Sequence, residues 1–370
     1  MHSRRAFLAT TAGIVTGIAL SGCSALPAAR PWRPSPGDTS VARVPVFVAG
    51  QRVKTIDVHA HCYIPEALAL LGAAEAKATL PQVRGQQQHF IDVGERLAAM
   101  DAMGIDMEIL SINPFWYRQS RANAEAICRL QNEKLAGLCR LKPDRLGAFA
   151  SLPLQFPDLA VTLLEDAVQR LGLLGAAIGG SVAGEEFSDL RFHPVWAKAE
   201  QLGVTLFIHP QSTPELAKRF KGNGWMSNVV GNPLDTTIAL QHLIYEGVLD
   251  KFPDLKICAA HGGGYLGSYA PRLDFSCYVS PNNCDPAIVL KKRPSDYLRQ
   301  MYFDALVFTP EALRHLVAEV GVGQVMLGTD HPIPWEQHPV DLVMNTPTLS
   351  DAERVAILGA NAARMLGLKG

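Results

Sequence analysis

Two histidines one residue apart, His59 and His61, close an apolar run in Thr55-Ile56-Asp57-Val58-His59-Ala60-His61. Side chains of an extended segment alternate faces, so the pair points to one side and offers two imidazoles to one atom. Neutral imidazole is the commonest protein ligand for borderline transition metals, which makes a metal site one reading. The other is a pair of partly buried histidines on a core strand. A metal needs further ligands, and three more apolar runs end in suitable types: Leu206-Phe207-Ile208-His209-Pro210, Ala259-Ala260-His261-Gly262-Gly263-Gly264 and Leu327-Gly328-Thr329-Asp330-His331. A core histidine explains any one of them. All of them together make a site if the fold brings those strand ends to one point.

The elements that must do so are eight β-rich runs: Val53–Val58, Met107–Ile112, Leu146–Leu152, Gly175–Gly180, Val204–Ile208, Lys256–Ala260, Met301–Leu306 and Gln324–Leu327. Helical patterns separate them at Ala122–Leu138, Pro157–Leu171, Pro194–Leu202, Asp235–Leu249 and Pro310–Val320, several with proline near the first turn, where no amide hydrogen is needed. Ser350-Asp351-Ala352-Glu353 reads as a capping box opening the last helix. Strands alternating with helices argue for a parallel sheet, and eight such units predict an α/β fold of the (β/α)8 TIM-barrel type, distorted by insertions. An open doubly wound sheet would carry a Gly-x-Gly-x-x-Gly turn after the first strand, and none is present. The long irregular connections, 61–94 with a weakly helical Pro65–Ala78 and 210–233 rich in Gly, Asn and Trp, belong over the barrel mouth, where such folds build their sites.

As a set, these motifs resemble the metal-dependent amidohydrolase superfamily, and within it the aminocarboxymuconate-semialdehyde decarboxylase-like branch. The resemblance spans about residues 53–370 and rests on His59-Ala60-His61, Leu152-Pro153-Leu154-Gln155, Ile208-His209-Pro210, Lys251-Phe252-Pro253 leading to His261-Gly262-Gly263-Gly264, Leu327-Gly328-Thr329-Asp330, and Gly359-Ala360-Asn361-Ala362-Ala363-Arg364. It implies that His59, His61, His209 and Asp330 ligate one divalent metal, zinc in most relatives and manganese in some, with a water completing the shell. It makes His261 a catalytic base or polarising group, with Asp330 sharing proton transfer. Arg272, eleven residues beyond His261, corresponds to an arginine that binds the substrate carboxylate and reaches a neighbouring subunit, so a homodimer is expected. Arg84 lies near the place of a second such arginine, and Trp225 is a candidate pocket wall.

Three imidazoles and one carboxylate would leave such a metal net positive and able to lower the pKa of bound water. The second nitrogens of the ligand histidines need holding, a task for Asp57 or for backbone carbonyls. Three glycines after His261 would let the backbone crowd the site. The strand-four end, Ala176-Ala177-Ile178-Gly179-Gly180-Ser181, lacks the lysine that bridges two metals in binuclear relatives, which favours one metal. His331 stands where relatives often carry an aromatic, and reads as a supporting or loop histidine. The leading function is non-oxidative decarboxylation of an unsaturated or aromatic carboxylic acid. The rivals are a hydrolase of lactones or amides or a hydratase using the same site, and an exported metal-binding lipoprotein without catalysis.

The chain of 370 residues is 48% hydrophobic, and its net charge of −1 gives no case for nucleic acid. Ser3-Arg4-Arg5-Ala6-Phe7-Leu8 resembles a twin-arginine export signal, and Leu20-Ser21-Gly22-Cys23 a lipobox whose Cys23 becomes a lipidated N-terminus. The expected organisation is a signal peptide over 1–23, a Pro- and Ala-rich tether over 24–50 and the barrel over 51–370, in a periplasmic or membrane-anchored lipoprotein. Of the other cysteines, Cys277 and Cys284 are close enough in sequence to be bridged, while Cys62, Cys128, Cys139 and Cys258 read as small core residues.

Overall fold

The computed structural model describes residues 43–80, 83, 90–211 and 213–368. The export signal, Cys23, most of the tether and Arg84 lie outside the described residues. Strand β1, Ile56–His61, is buried along its whole length, as befits a parallel strand covered on both faces. It pairs with β2, Met107–Ser111, which pairs with β3, in two pieces Leu146–Ala148 and Ala150–Ser151. The ladder passes through Phe149, whose N–H donates to Leu110 O at 2.9 Å, and continues parallel to β4, Gly175–Ile178. Next come β5, Thr205–Ile208, β6, Lys256–Ala259, β7, Tyr302–Asp304, and β8, Val325–Met326. Bonds from Val58 N to Leu327 O (3.0 Å), Asp330 N to His59 O (2.9 Å) and His61 N to His331 O (2.6 Å) tie β8 back to β1. These eight strands form a distorted (β/α)8 barrel whose shortest seam lies beside the histidine pair.

Among the helices, α1, Val93–Met103, is capped by Asp92, and α2, Arg121–Leu141, by Ser120. Prolines occupy the first turn of α3, Pro157–Gln169, α4, His193–Leu202, α5, Asn232–Tyr245, and α6, Pro310–Val320. The helix expected to run on to Leu249 breaks at Gly247, left-handed at φ 73°, before a short turn Val248–Lys251. The capping box of Ser350 and Glu353 forms as expected. An antiparallel hairpin, Phe47–Val48 with Gln51–Arg52, begins inside the segment read as tether, because Val46 and Val48 bury their side chains.

Ile56, Val58, Ile109, Phe149, Phe207 and Met326 fill the barrel interior, and Ala362 and Met365 of the last helix, α7, Asn361–Leu366, join them from below. This accounts for the Gly359-Ala360-Asn361 motif. A Cβ on Gly359 would lie 2.0 Å from Lys54 O, and Asn361 Nδ2 donates to Val322 O and Val325 O at 2.8 Å each. Cys277 and Cys284 form a disulfide; of the four free cysteines among the described residues, Cys62, Cys128 and Cys258 are buried and Cys139 partly so. Among the described residues no helix is long and apolar enough to cross a membrane.

Candidate metal centre

Were β1 regular, its histidines would face away from the barrel interior. Ile56 and Val58 point inward, so strict alternation would send His59 and His61 outward with Asp57. A bulge prevents this: Asp57 stands opposite Glu108 but Ala60 opposite Leu110, so three steps on β1 match two on β2. The extra residue re-aims the strand, and His59 packs inward against Phe207 with ring centroids 5.2 Å apart. His209 follows directly on β5, its N–H bonded to Ile178 O at 2.9 Å. Asp330 sits just past β8 in a left-handed conformation, φ 63°.

The structure brings His59, His61, His209 and Asp330 together, one donor atom from each lying within 4.8 Å of the others. His61 Nε2 lies 3.1 Å from His59 Nε2 and 3.2 Å from His209 Nε2, while Asp330 Oδ1 is 2.9 Å from His61 Nε2 and 3.3 Å from His59 Nε2. A tetrahedral cation with ligands at about 2.0–2.1 Å sets its donors roughly 3.3–3.4 Å apart. The donor set therefore fits a single divalent metal.

The ionisation pattern agrees. Burial and the neighbouring imidazoles hold His61 and His209 below the usual histidine range, hence neutral. Burial opposes the charge on Asp330, yet His59 and the hydrogen bonds from His261, His59 and His61 keep it well below the usual carboxylate range. Burial also opposes a charged His59, but Asp330 and Asp304 outweigh it and push His59 up to about 10. Neutral imidazoles and an ionised carboxylate are the states ligands need, and the proton on His59 supplies the positive charge a metal would replace.

The residue that orients His59 is neither Asp57 nor a backbone carbonyl. Asp304, fully buried at the end of β7, accepts from His59 Nδ1 at 2.6 Å. The same carboxylate accepts the backbone N–H groups of His261 and Gly262, each at 2.9 Å, so one acid fixes both His59 and the turn carrying His261. Asp57 instead takes the His59 backbone N–H at 2.9 Å and the Thr329 hydroxyl at 2.6 Å, pinning the bulge to β8. His61 Nδ1 meets Ser111 Oγ at 3.1 Å. His209 Nδ1 is buried and has no hydrogen-bond partner among the described residues. The acidic end of Tyr302-Phe303-Asp304 was the sequence signal for Asp304, since polar residues at barrel strand ends face the mouth.

His261 adjoins the cluster, its Nε2 3.9 Å from Asp330 Oδ2. The glycines after it serve packing rather than approach to the metal: a Cβ on Gly263 would lie 2.6 Å from the Phe303 ring, and one on Gly264 would lie 2.0 Å from Pro233 O. His331 is a supporting residue, its Nδ1 2.7 Å from Glu108 Oε1. Glu108 also pairs with Arg96 at 2.7 Å, and Arg96 donates to the carbonyl oxygen of His61. Burial resists this charge, but His331 and Arg96 hold Glu108 below the usual carboxylate range, while burial and Glu108 push Asp57 up. Sequence reasoning missed Arg96 and Glu108, for which periodicity offers no signal.

A pocket of about 360 Å³ opens over His61, His209 and Asp330, with Asn113, Gln211 and Trp225 on its walls. Trp225 stacks on Trp335, ring centroids 5.7 Å apart. Arg272 is exposed in the short helix Ala270–Leu273 and lines a different pocket, beside Tyr269 and Phe275, so the structure does not bring it to the donor cluster of its own chain.

Comparison with known proteins accords with this geometry. The chain is 31% identical over 280 residues to 2-amino-3-carboxymuconate-6-semialdehyde decarboxylase of Dictyostelium discoideum, covering 75% of this chain and 77% of that protein. It is 31% identical over 298 residues to gamma-resorcylate decarboxylase of Rhizobium radiobacter, covering 77% and 90%. Among solved structures, 2,6-dihydroxybenzoate decarboxylase bound to 2,6-dihydroxybenzoate superposes with a TM-score of 0.74 at 28% identity, covering 85% of this chain and all (100%) of that one. A dihydroxybenzoic acid decarboxylase of Polaromonas with bound manganese and the inhibitor 2-nitroresorcinol also gives 0.74, at 26% identity and 85% and 97% coverage. The amidohydrolase family model matches residues 56–368, from the first residue of β1 to the end of the described fold, and the chain belongs to that family.

Proposed function

We propose that this protein is a metal-dependent, non-oxidative decarboxylase of an aromatic or unsaturated carboxylic acid. The observation that carries the reading is Asp330, with one oxygen 2.9 Å from His61 Nε2 in the donor cluster and the other 3.9 Å from His261 Nε2. One carboxylate thus links the donor cluster to a proton-carrying imidazole. The activities of the relatives from Dictyostelium and Rhizobium support the same chemistry.

His59, His61, His209 and Asp330 would hold a divalent cation, which would supply a fixed positive charge beside the carboxylate of the acid. The set of three imidazoles and one carboxylate suits zinc; the manganese in the Polaromonas decarboxylase supports manganese as the alternative. His261 and Asp330 then deliver a proton to the carbon bearing the carboxylate. A C–H bond forms, the C–C bond to the carboxylate breaks, its electron pair restores the unsaturation, and CO2 leaves. His261, 14% exposed, regains the proton from solvent. For Arg272, which lines another pocket, we propose service at the site of a second copy in a homodimer; Arg84, outside the described residues, is proposed to bind the substrate carboxylate. Mixing inactive Arg272→Ala and His261→Gln chains should restore turnover in hybrid dimers, and no recovery would rule out that role.

The test is to load the purified protein with zinc or manganese, measure metal per chain and follow CO2 release from a panel of hydroxybenzoic and muconate-like acids. CO2 formed in step with acid consumed supports the lyase. Ring opening, lactone or amide hydrolysis, or hydration without CO2 would refute it. Export and lipid anchoring at Cys23 are proposed from the Arg4-Arg5 and Leu20-Ser21-Gly22-Cys23 motifs; Cys23→Ala should move the protein from the membrane fraction to the soluble one.

A further inference from the structure

Beside the pocket over the donor cluster lies a second chamber, of about 550 Å³, and His261 opens into it rather than into the first. Its walls are Val229, Tyr265, Leu306, Val307, Phe308 and Trp335, with no carboxylate, lysine or arginine among the described lining residues. Asn228 lines both chambers, and the stack of Trp225 on Trp335 spans them. The two groups proposed to pass the proton, 3.9 Å apart, therefore face different chambers: Asp330 the first, His261 the second. A molecule reacting between them occupies both.

Backbone conformation singles out the same place. Among the described residues six non-glycine residues have positive φ, and four of them line these chambers: Trp225 (52°) and Asp330 (63°) the first, His261 (55°) and Phe308 (66°) the second. A bulky residue is held in that region only where its surroundings over-determine it, and such residues gather at functional sites. Phe308 is 51% exposed, so burial of its ring does not account for it. Val229, Tyr265 and Trp335 also stay substantially exposed, which makes an apolar surface continuous with the reaction site. Each chamber is large enough to hold a small ligand.

We propose that the second chamber is a subsite for an apolar substituent on the substrate, so that the preferred acid carries an alkyl or aryl extension remote from its carboxylate. This rests on the decarboxylase reading for what happens to the carboxylate, but the subsite itself is read by binding. The probes are 5-alkylresorcinols, which have no carboxylate to lose, with tails from zero to five carbons, titrated against the metal-loaded full chain by calorimetry. Burying a methylene is worth about 0.8 kcal/mol, so Kd should fall about fourfold for each of the first few carbons. Val229→Arg, at an exposed wall position, should abolish that gain while leaving the affinity for resorcinol itself unchanged. Phe308→Ala should reduce it by a smaller factor. In parallel, 4-alkyl-2,6-dihydroxybenzoates should show kcat/KM rising with tail length. A Kd independent of tail length, or a gain untouched by both variants, overturns the subsite. Tail-dependent binding with no CO2 from any acid keeps the subsite and overturns the decarboxylase reading instead.

Discussion

Asp304→Asn tests the least expected part of the centre. The carboxylate is fully buried and accepts from four donors: His59 Nδ1 at 2.6 Å, His261 N at 2.9 Å, Gly262 N at 2.9 Å and Leu306 N at 3.1 Å. Asparagine keeps the shape but makes one of the two oxygens an amide donor. If that amide faces Gly262 and Leu306, two buried N–H groups lose their acceptor at roughly 1–3 kcal/mol each. If it faces His59, the imidazole must accept at Nδ1 and carry its proton on Nε2, the atom 3.1 Å from His61 Nε2 in the donor cluster. A protonated nitrogen cannot ligate. The first outcome lowers stability by about 2–6 kcal/mol in sum; the second weakens metal binding about 10- to 100-fold, as expected when the partner of a ligand histidine is removed. Competition against a chelator of known affinity, read by elemental analysis, gives the second quantity, and urea unfolding of the metal-free protein gives the first. A variant that matches the wild type in both would show that Asp304 neither orients His59 nor holds the His261 turn.

Replacing His261 by glutamine should lower kcat by about 10²–10⁴-fold while metal content stays at one per chain; concurrent loss of metal would make His261 a ligand instead. Glu108→Gln removes the buried charge facing Arg96 and His331, and should cost about 3–5 kcal/mol in urea melts near neutral pH. Because the fold holds Glu108 down at about 2 from 4.5, its contribution is full above pH 4.5 and fades toward pH 2, so the gap between wild type and variant should close over that window. Asp235 works in the opposite direction. Burial raises it from 3.8 to about 7, so the folded state keeps a proton that the unfolded chain releases, and stability falls as pH rises from about 4 to 7. Asp235→Asn, which preserves the acceptor for Gln211 N, should therefore raise Tm at pH 8 more than at pH 4, by an amount worth at most about 4 kcal/mol. An equal shift at both pH values would refute this.

How far the centre could be read from the sequence depends on whether a feature is a matter of residue type or of pairing. His59, His61, His209, His261 and Asp330 were legible because histidine and aspartate at the ends of apolar runs have few other uses, and a closed barrel gathers such ends. The bulge was not. Whether β1 gains a residue between Asp57 and Ala60 is decided by its pairing with Glu108 and Leu110, some fifty positions away, and by the Asp57–Thr329 contact from β8. No window on β1 contains that information. Helix α1 escaped for a related reason: it buries Arg96 along with Met100, so the apolar stripe is interrupted by the residue that reaches Glu108. The same logic separates the two arginines read as carboxylate clamps from the acid that was overlooked. An arginine can be assigned by resemblance at a given spacing, yet Arg272 lines another pocket of its own chain, whereas Asp304, one acid at the end of a three-residue strand, reaches past β8 to the ring of His59. Residue type tells where a metal can sit; the cross-strand partners decide which nitrogen of each histidine faces it, and those partners can be named only once the barrel is closed.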